Sequence, residues 1–340
     1  DFNFPGYLDM TNISVNYDDA WGCEAGNEVF LANCRQAMMT GEPGFSFNFD
    51  EKENETLRNA CNEVTSEDDS DVCNLGSINL ARINDKDHFR RVVELSTKFL
   101  LCGTLKADLP YKKIYEVREK NRRLGLGLMG VHEWLMKKSK RYEVDDELHQ
   151  WLSIYKSTSE ETGRTTADAF GISRPVAYRA IAPTGTIGIL AGTSTGIEPI
   201  FAVAYKRRYL TEGKRWKYQY HVDHIANELI KEYGLDPTKI ETASDLARDY
   251  ERRIAFQADI QDYVDMSISS TINLPAWNPI DPSVDADTFG NTLARHAHRL
   301  RGFTVYPDGA RGGQPLVPMD YNEVRHKLGE EFEESSEVND

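Results

Sequence analysis

Leu124-Gly125-Leu126-Gly127-Leu128-Met129-Gly130 is an apolar run with glycine at positions 125, 127 and 130. A run of this length bounded by glycine reads as a buried strand. The glycines do not form G-x-G-x-x-G followed by an acidic residue, so close packing of backbones is the better account than a phosphate-binding turn. Downstream, residues 131–138 and 145–170 have helical periodicity, and Gly171 ends the second helix. Upstream, residues 87–105 form an amphipathic helix. Phe89, Val92, Val93, Leu95, Phe99 and Leu100 are assigned to its inner side, and Cys102 to the core in its last turn. Before that helix, Cys73–Leu80 alternates as a strand. Strand, helix, strand, helix is the rhythm of an α/β fold with mainly parallel strands.

The same reading covers the flanks. Residues 18–40 are helical, with Cys23 and Cys34 as packed thiols, and Gly41-Glu42-Pro43-Gly44 stops that helix. Phe45–Phe49 alternates as a strand, and residues 50–58 are a polar loop. Tyr178–Ile181 is a short strand, Phe201–Tyr205 another, and Glu212-Gly213 marks a hairpin. Helices follow at 223–233 and 253–264, then strand Ser267–Leu274, helix 286–300 and a strand with its turn at 302–309. The acidic end, Glu330–Asp340 with Ser335-Ser336, reads as a frayed, disordered tail. His221 and His224 lack a third ligand, so no metal site is assigned.

Composition narrows the function. A net charge of −15 argues against a general nucleic-acid or membrane-surface binder. The five cysteines are odd in number and irregularly spaced, which suits a reducing cytoplasm with one or two chemically active thiols.

Two stretches carry chemistry. In Asn59-Ala60-Cys61-Asn62-Glu63 a thiol stands two positions from an amide and two from a carboxylate. In an extended segment those three side chains face one way, toward one small ligand. Thiol, base and orienting amide together suit chemistry on a hydroxyl-bearing substrate. Polar neighbours put Cys61 on a loop. Cys73, twelve residues on, is either a second thiol of that pocket or a small apolar filler at a strand start. The other stretch, Ala182-Pro183-Thr184-Gly185-Thr186-Ile187-Gly188, follows a strand and exposes backbone N–H groups. A helix starting there makes an anion site, with Thr184 and Thr186 adding hydroxyl donors; a plain strand-to-helix connection has the same pattern.

Taken in order, N-A-C-N-E (59–63), C-N-L-G-S-I-N-L (73–80), N-R-R-L-G-L-G-L-M-G (121–130), A-P-T-G-T-I-G-I-L-A-G (182–192), T-G-I-E-P-I-F-A (195–202) and T-V-Y-P-D-G-A-R-G-G-Q (304–314) resemble the large catalytic subunit of ribonucleotide reductases. More narrowly they resemble the adenosylcobalamin-dependent class II enzymes. The resemblance implies part of a ten-stranded α/β barrel with an internal finger loop carrying the radical cysteine. It makes residues 1–316 the C-terminal portion of that barrel and leaves 317–340 as the acidic, disordered tail. It also implies reduction of ribonucleotides, diphosphates in the first instance, to 2′-deoxyribonucleotides for DNA synthesis.

By the same resemblance, Cys61 is the thiyl residue that takes the 3′-hydrogen and Glu63 accepts the 3′-hydroxyl proton. Asn59 hydrogen-bonds the substrate, and Cys73 is one of two thiols that reduce the 2′ position and end as a disulfide. Ala60, Asn62 and the turn Pro183, Thr184, Gly185, Thr186 and Ile187 bind substrate. The implied cofactor is adenosylcobalamin. The implied partners are the ribonucleotide, a thioredoxin-type dithiol reductant and an N-terminal half of the reductase that this chain lacks. Thr304-Val305-Tyr306 has one tyrosine where the oxygen-dependent class has an adjacent pair. The chain departs from the family with Ala60-Cys61-Asn62 in place of Pro-Cys-Gly, and with Pro307 where arginine is usual. Two other readings remain: the large subunit of an oxygen-dependent class I enzyme, and a non-catalytic nucleotide-binding relic of the barrel.

Overall fold

The structure is a computed structural model of the chain, and residues 12–20, 27–211, 215–278, 285–310 and 316–332 are described. The first half holds β1 (Ser14–Tyr17), α1 (Glu28–Thr40), β2 (Gly44–Phe47), β3 (Leu57–Arg58), β4 (Thr65–Ser66), β5 (Asn74–Asn79), α2 (Lys86–Lys106), α3 (Lys112–Asn121), β6 (Leu124–Met129), α4 (Val131–Lys137) and α5 (Asp146–Phe170). The second half holds α6 (Gly185–Ala191), β7 (Ala204–Thr211), β8 (Arg215–Val222), α7 (His224–Tyr233), α8 (Tyr250–Gln261), β9 (Thr271–Leu274), α9 (Ala286–His296), β10 (Gly302–Pro307), β11 (Leu316–Met319), α10 (Tyr321–Val324) and β12 (Glu331–Phe332). Helices and strands alternate over most of the chain, as an α/β fold requires.

Local chemistry sets the helix ends. Asp85 and Asp145 cap α2 and α5 by accepting the N–H groups of His88 (2.8 Å) and Leu148 (2.9 Å). Gly171 closes α5 in the left-handed conformation, at φ 65°.

The described strands form open sheets, linked by single bridges, rather than a closed one. β5 and β6 pair in parallel. Leu126 donates to Tyr178 O (3.1 Å) and Ala180 donates to Leu126 O (3.2 Å). Ile181 then donates to Ser267 O (3.2 Å), and Ser269 donates back to Ile181 O (2.8 Å). That segment leads into β9, which pairs in parallel with β10. β10 pairs antiparallel with β2, and β2 pairs in parallel with β1. The expected strand Tyr178–Ile181 is thus reduced to single bridges, and the expected Ser267–Leu274 strand is regular only over β9. A separate, wholly antiparallel sheet runs β11-β7-β8-β12, so parallel pairing does not dominate. The Glu212-Gly213 turn between β7 and β8 lies outside the described residues.

Two cores flank the open sheet. One packs β5 and β6 against α2, α4 and α5, with Phe89, Leu126, Trp134, Trp151 and Tyr155 inside. The other packs β1, β2 and β10 against α1 and α9, through the aromatic rings of Tyr17, Phe30, Phe45, Phe289 and Phe303.

Three expectations are corrected here. Leu95 and Phe99 of α2 are 50% and 77% exposed, and Cys102 is exposed too. The buried face instead includes Thr97 and Thr104. Their hydroxyls donate to the carbonyls of Val93 (2.8 Å) and Leu100 (3.1 Å), which satisfies them inside and rotates the apolar stripe. Helix α3 was not foreseen, because its sequence KKIYEVREKN shows no apolar stripe. Its Arg118 is buried and holds the carbonyls of Thr104 (3.0 Å) and Ala107 (3.1 Å). Finally, residues 316–332 form β11, α10 and β12 instead of a disordered tail. Phe332 stacks on Tyr218 and Tyr220, at 5.4 and 4.9 Å between ring centres. Residues 333–340, like Cys23, lie outside the described residues.

The glycines of β6 are explained by close approach. A Cβ on Gly127 would lie 2.6 Å from Ala180 O, a backbone atom that cannot move aside cheaply. Gly127→Ala is expected to lower the unfolding free energy by about 2 kcal/mol, measured by urea denaturation. A neutral result would mean the β6–Ala180 contact is looser than described.

Candidate active site

The stretch Asn59–Glu63 is the connection of a short hairpin. β3 and β4 pair antiparallel, Leu57 with Ser66 and Arg58 with Thr65. Cys61 therefore sits on a loop, as expected, but the loop is not extended. Asn62 donates to Asn59 O (3.0 Å) and adopts a left-handed φ of 67°, and Asn59 Oδ1 accepts from Val64 N–H (3.1 Å). Two asparagines turn the chain, so simple alternation does not align Asn59, Cys61 and Glu63. Asn59, Ala60 and Cys61 are exposed on the outer side of the turn, whereas Asn62 and Glu63 are buried.

Glu63 relates the two thiols to each other. Its Oε2 is buried without a hydrogen-bond partner among the described residues. Partial burial raises the Cys61 pKa, and the Glu63 charge raises it further. Cys73 is half-buried and packs with Val64 against Ala177, Ala180 and Met266. Burial pushes its thiol up to about 12; Arg123 opposes that, while Asp71 and Glu63 reinforce it. One carboxylate thus acts on both thiols, and both are free. At neutral pH both are S–H groups rather than thiolates.

The loop is held from below by charges that the sequence reading passed over in its polar stretch 50–58. Glu55 Oε2 accepts from Arg301 Nη2 (2.9 Å) and from Thr65 Oγ1 (2.7 Å). Its Oε1 accepts from both terminal nitrogens of Arg123 (3.3 and 3.4 Å). Arg58 donates to Ser46 Oγ (3.2 Å), Asn48 Oδ1 (2.6 Å) and Arg301 O (3.2 Å). Burial by itself would raise the Glu55 pKa, but the charge and hydrogen bond of Arg301 outweigh it and hold the group at about 2. Glu55 and Arg301 are 246 positions apart, so no local sequence signal joins them.

The second predicted stretch lies on the far side of Ser267. Ser267 N–H donates to Glu63 O (2.9 Å), and Ser267 O accepts from Ile181. One residue therefore spaces the cysteine loop from the start of the Ala182–Gly188 turn. Gly302 approaches so closely that a Cβ there would strike the Asn62 side chain. In the turn, Pro183, Gly185, Thr186 and Ile187 are exposed, but Thr184 is buried at φ 53°. Its Oγ1 accepts from Gly196 N–H (2.7 Å), so it braces the loop after α6 instead of facing solvent as a donor. Among the described residues, no group of three His, Cys, Asp or Glu side chains is placed to hold a metal ion. No described helix is long and apolar enough to cross a membrane.

Two outcomes are expected. At about pH 8, iodoacetamide should alkylate Cys61 at least about 10-fold faster than Cys73, with the gap closing as pH rises, read by peptide mass spectrometry. Equal rates would contradict the difference in burial. Glu55 has a folded pKa of about 2 against an ordinary value of 4.5. The stability it contributes is complete above the ordinary value and is lost as pH falls through the folded one. That contribution is about 3 kcal/mol. Glu55→Gln should therefore flatten the acid limb of the stability curve between those two values, as followed by circular dichroism.

The family model for the ribonucleotide reductase barrel domain matches residues 27–160 and 161–299. The chain is 29% identical over 338 residues to a vitamin B12-dependent ribonucleoside-diphosphate reductase of Mycobacterium tuberculosis (strain ATCC 25618 / H37Rv), an alignment covering 85% of this chain and 47% of that protein. It is 30% identical over 356 residues to a putative adenosylcobalamin-dependent ribonucleoside-triphosphate reductase of Mycobacterium phage D29, covering 88% and 50%. A solved structure of a B-12 dependent (class II) ribonucleotide reductase matches the fold with a TM-score of 0.74 at 17% identity, covering 93% of this chain and 49% of that one. The chain thus spans about half the length of the curated relatives it matches. By the extent of the family match, it belongs to the ribonucleotide reductases and carries sequence of their barrel domain.

Proposed function

We propose that this chain is the C-terminal part of the catalytic barrel of an adenosylcobalamin-dependent reductase. The reductase converts ribonucleotides, diphosphates in the first instance, to 2′-deoxyribonucleotides. The observation that carries the reading is a buried, unpartnered carboxylate, Glu63, two residues from an exposed free thiol at a loop tip, Cys61, with a second free thiol, Cys73, recessed in the same part of the fold. The names of the relatives support the cobalamin class. The open sheet is read as part of a ten-stranded barrel, and the β3–β4 loop as the finger loop within it.

Each residue has a part. Cys61, as a transient thiyl, takes the 3′-hydrogen of the ribose and gives it back once the 2′ position is reduced, which restores the thiyl. Glu63 accepts the 3′-hydroxyl proton, for which its unpartnered Oε2 is available. Asn59 hydrogen-bonds the substrate, and Ala60 and Asn62 shape the loop against it. The backbone of Pro183, Thr184, Gly185, Thr186 and Ile187 faces the phosphates. Cys73 and a second thiol supply two electrons and two protons. The 2′-hydroxyl leaves as water, and the thiols close to a disulfide that a thioredoxin-type dithiol reopens. That second thiol and the rest of the barrel come from an N-terminal half, which makes that half an obligatory partner. The reducing cytoplasm is the compartment in which free thiols of this kind persist.

The residues present fit the cofactor: the Cys61 thiol is exposed and is held protonated, so it has a hydrogen atom to give. When bound, adenosylcobalamin supplies the one-electron oxidising power for that thiol.

In the complete assembly with cobalamin, Cys61→Ser should cut deoxynucleotide formation by at least about 1000-fold and leave nucleotide affinity within about 3-fold. The measurements are product formation by chromatography and binding by calorimetry. Full activity of Cys61→Ser would end the thiyl assignment.

A further inference from the structure

Arg123 touches both cysteine-bearing segments. It is 2% exposed and immediately precedes β6. Its Nε donates to Asp71 Oδ2 (2.7 Å), and its two terminal nitrogens donate to Glu55 Oε1 (3.3 and 3.4 Å). Glu55 stands two residues before β3, the strand that leads into the Cys61 turn, and Asp71 stands two residues before Cys73. Both carboxylates also hold β4: Thr65 Oγ1 donates to Glu55 Oε2 (2.7 Å), and Ser66 Oγ donates to Asp71 Oδ2 (2.7 Å). Asn121 Nδ2 adds a bond to Asp71 Oδ2 (2.8 Å). One planar guanidinium therefore spans the gap between the hairpin and the strand entry, with a different edge on each. A lysine ammonium could not hold both carboxylates in that geometry.

We propose that Arg123 is a positioning residue that fixes the spacing of the Cys61 loop relative to the Cys73 segment. Its part in catalysis rests on the reading that both thiols serve one reaction. The three charges around the Cys73 thiol are Arg123, Asp71 and Glu63, so the cation also balances two carboxylates there. Arg301 donates to Glu55 Oε2 (2.9 Å), to Asn48 Oδ1 and to the carbonyls of Phe47 and Asp265 (3.3 Å each), so it braces the Glu55 side and not the Asp71 side.

The test is backbone hydrogen exchange on the full chain, compared across Arg123→Met, Arg123→Lys, Glu55→Gln and Asp71→Asn. Arg123→Met should speed exchange at least about 10-fold in both 54–66 and 67–74 and leave β10 unchanged. Glu55→Gln should loosen the first segment only, and Asp71→Asn the second together with the Ser66 end of the first. Arg123→Lys keeps the charge and should still loosen both, which keeps the proposal testable if Arg123→Met does not fold. Loosening of one segment alone by the Arg123 variants, or of the whole chain alike, would overturn it. In the assembled enzyme, Arg123→Lys should lower kcat about 10-fold with KM within about 2-fold. Unchanged kcat despite loosened segments would overturn the positioning role. Exchange is read without turnover, so an inactive wild-type assembly would refute the proposed function and leave the clamp standing.

Discussion

A single carboxylate, Glu55, sits between the guanidinium groups of Arg301 and Arg123, and the cysteine loop is built on it. All three side chains are largely buried. Removing one partner of such a group leaves a buried charge uncompensated, which is why ionised Glu55 adds about 3 kcal/mol to stability above its ordinary pKa. The effect of the ion pairs is also geometric. Arg301 ties the loop to the strand that opens with Gly302, and Arg123 ties it to β6. A hairpin whose ladder is only two residue pairs long could not hold a reactive turn in place by itself.

The same constraint separates the environments of the two thiols. Cys61 stands on the outer side of a turn whose inner side, Asn62 and Glu63, is packed against Ser267 and Gly302. Cys73 is recessed among small side chains, and β6 has glycine at position 125 where a Cβ would lie 2.9 Å from its sulfur. On the proposed reading, the exposed thiol is where the radical is handed in and the recessed one is where electrons are delivered. Gly125 of β6 makes the room that the recessed sulfur occupies.

Much of the fold was legible in the sequence. The capped, strongly periodic α5 and the apolar β6 emerged with nearly their observed limits, because pattern and burial agree there. Cys61 was placed on a loop from the turn preference of its neighbours, and Glu63 and Cys73 were named with it. What was not legible depends on contacts distant in sequence. The inner face of α2 was misjudged because threonine hydroxyls bonded to their own helix can lie inside. Helix α3 carries no apolar stripe and owes its place to a buried arginine. β12 was hidden in an acidic run, where charge masked the one phenylalanine that stacks. The Glu55 network could not be foreseen, since its partners are far apart in sequence and meet only in the folded chain.

The most direct measurement is deoxyribonucleotide formation by this chain with adenosylcobalamin, alone and mixed with the N-terminal half of a related reductase. The account predicts product only in the mixture and only with the cofactor. Product from the chain alone would contradict the need for a second half, and cofactor-independent product would contradict the radical source. A folded mixture that binds nucleotide yet makes no product would contradict the assignment of Cys61 as the radical residue.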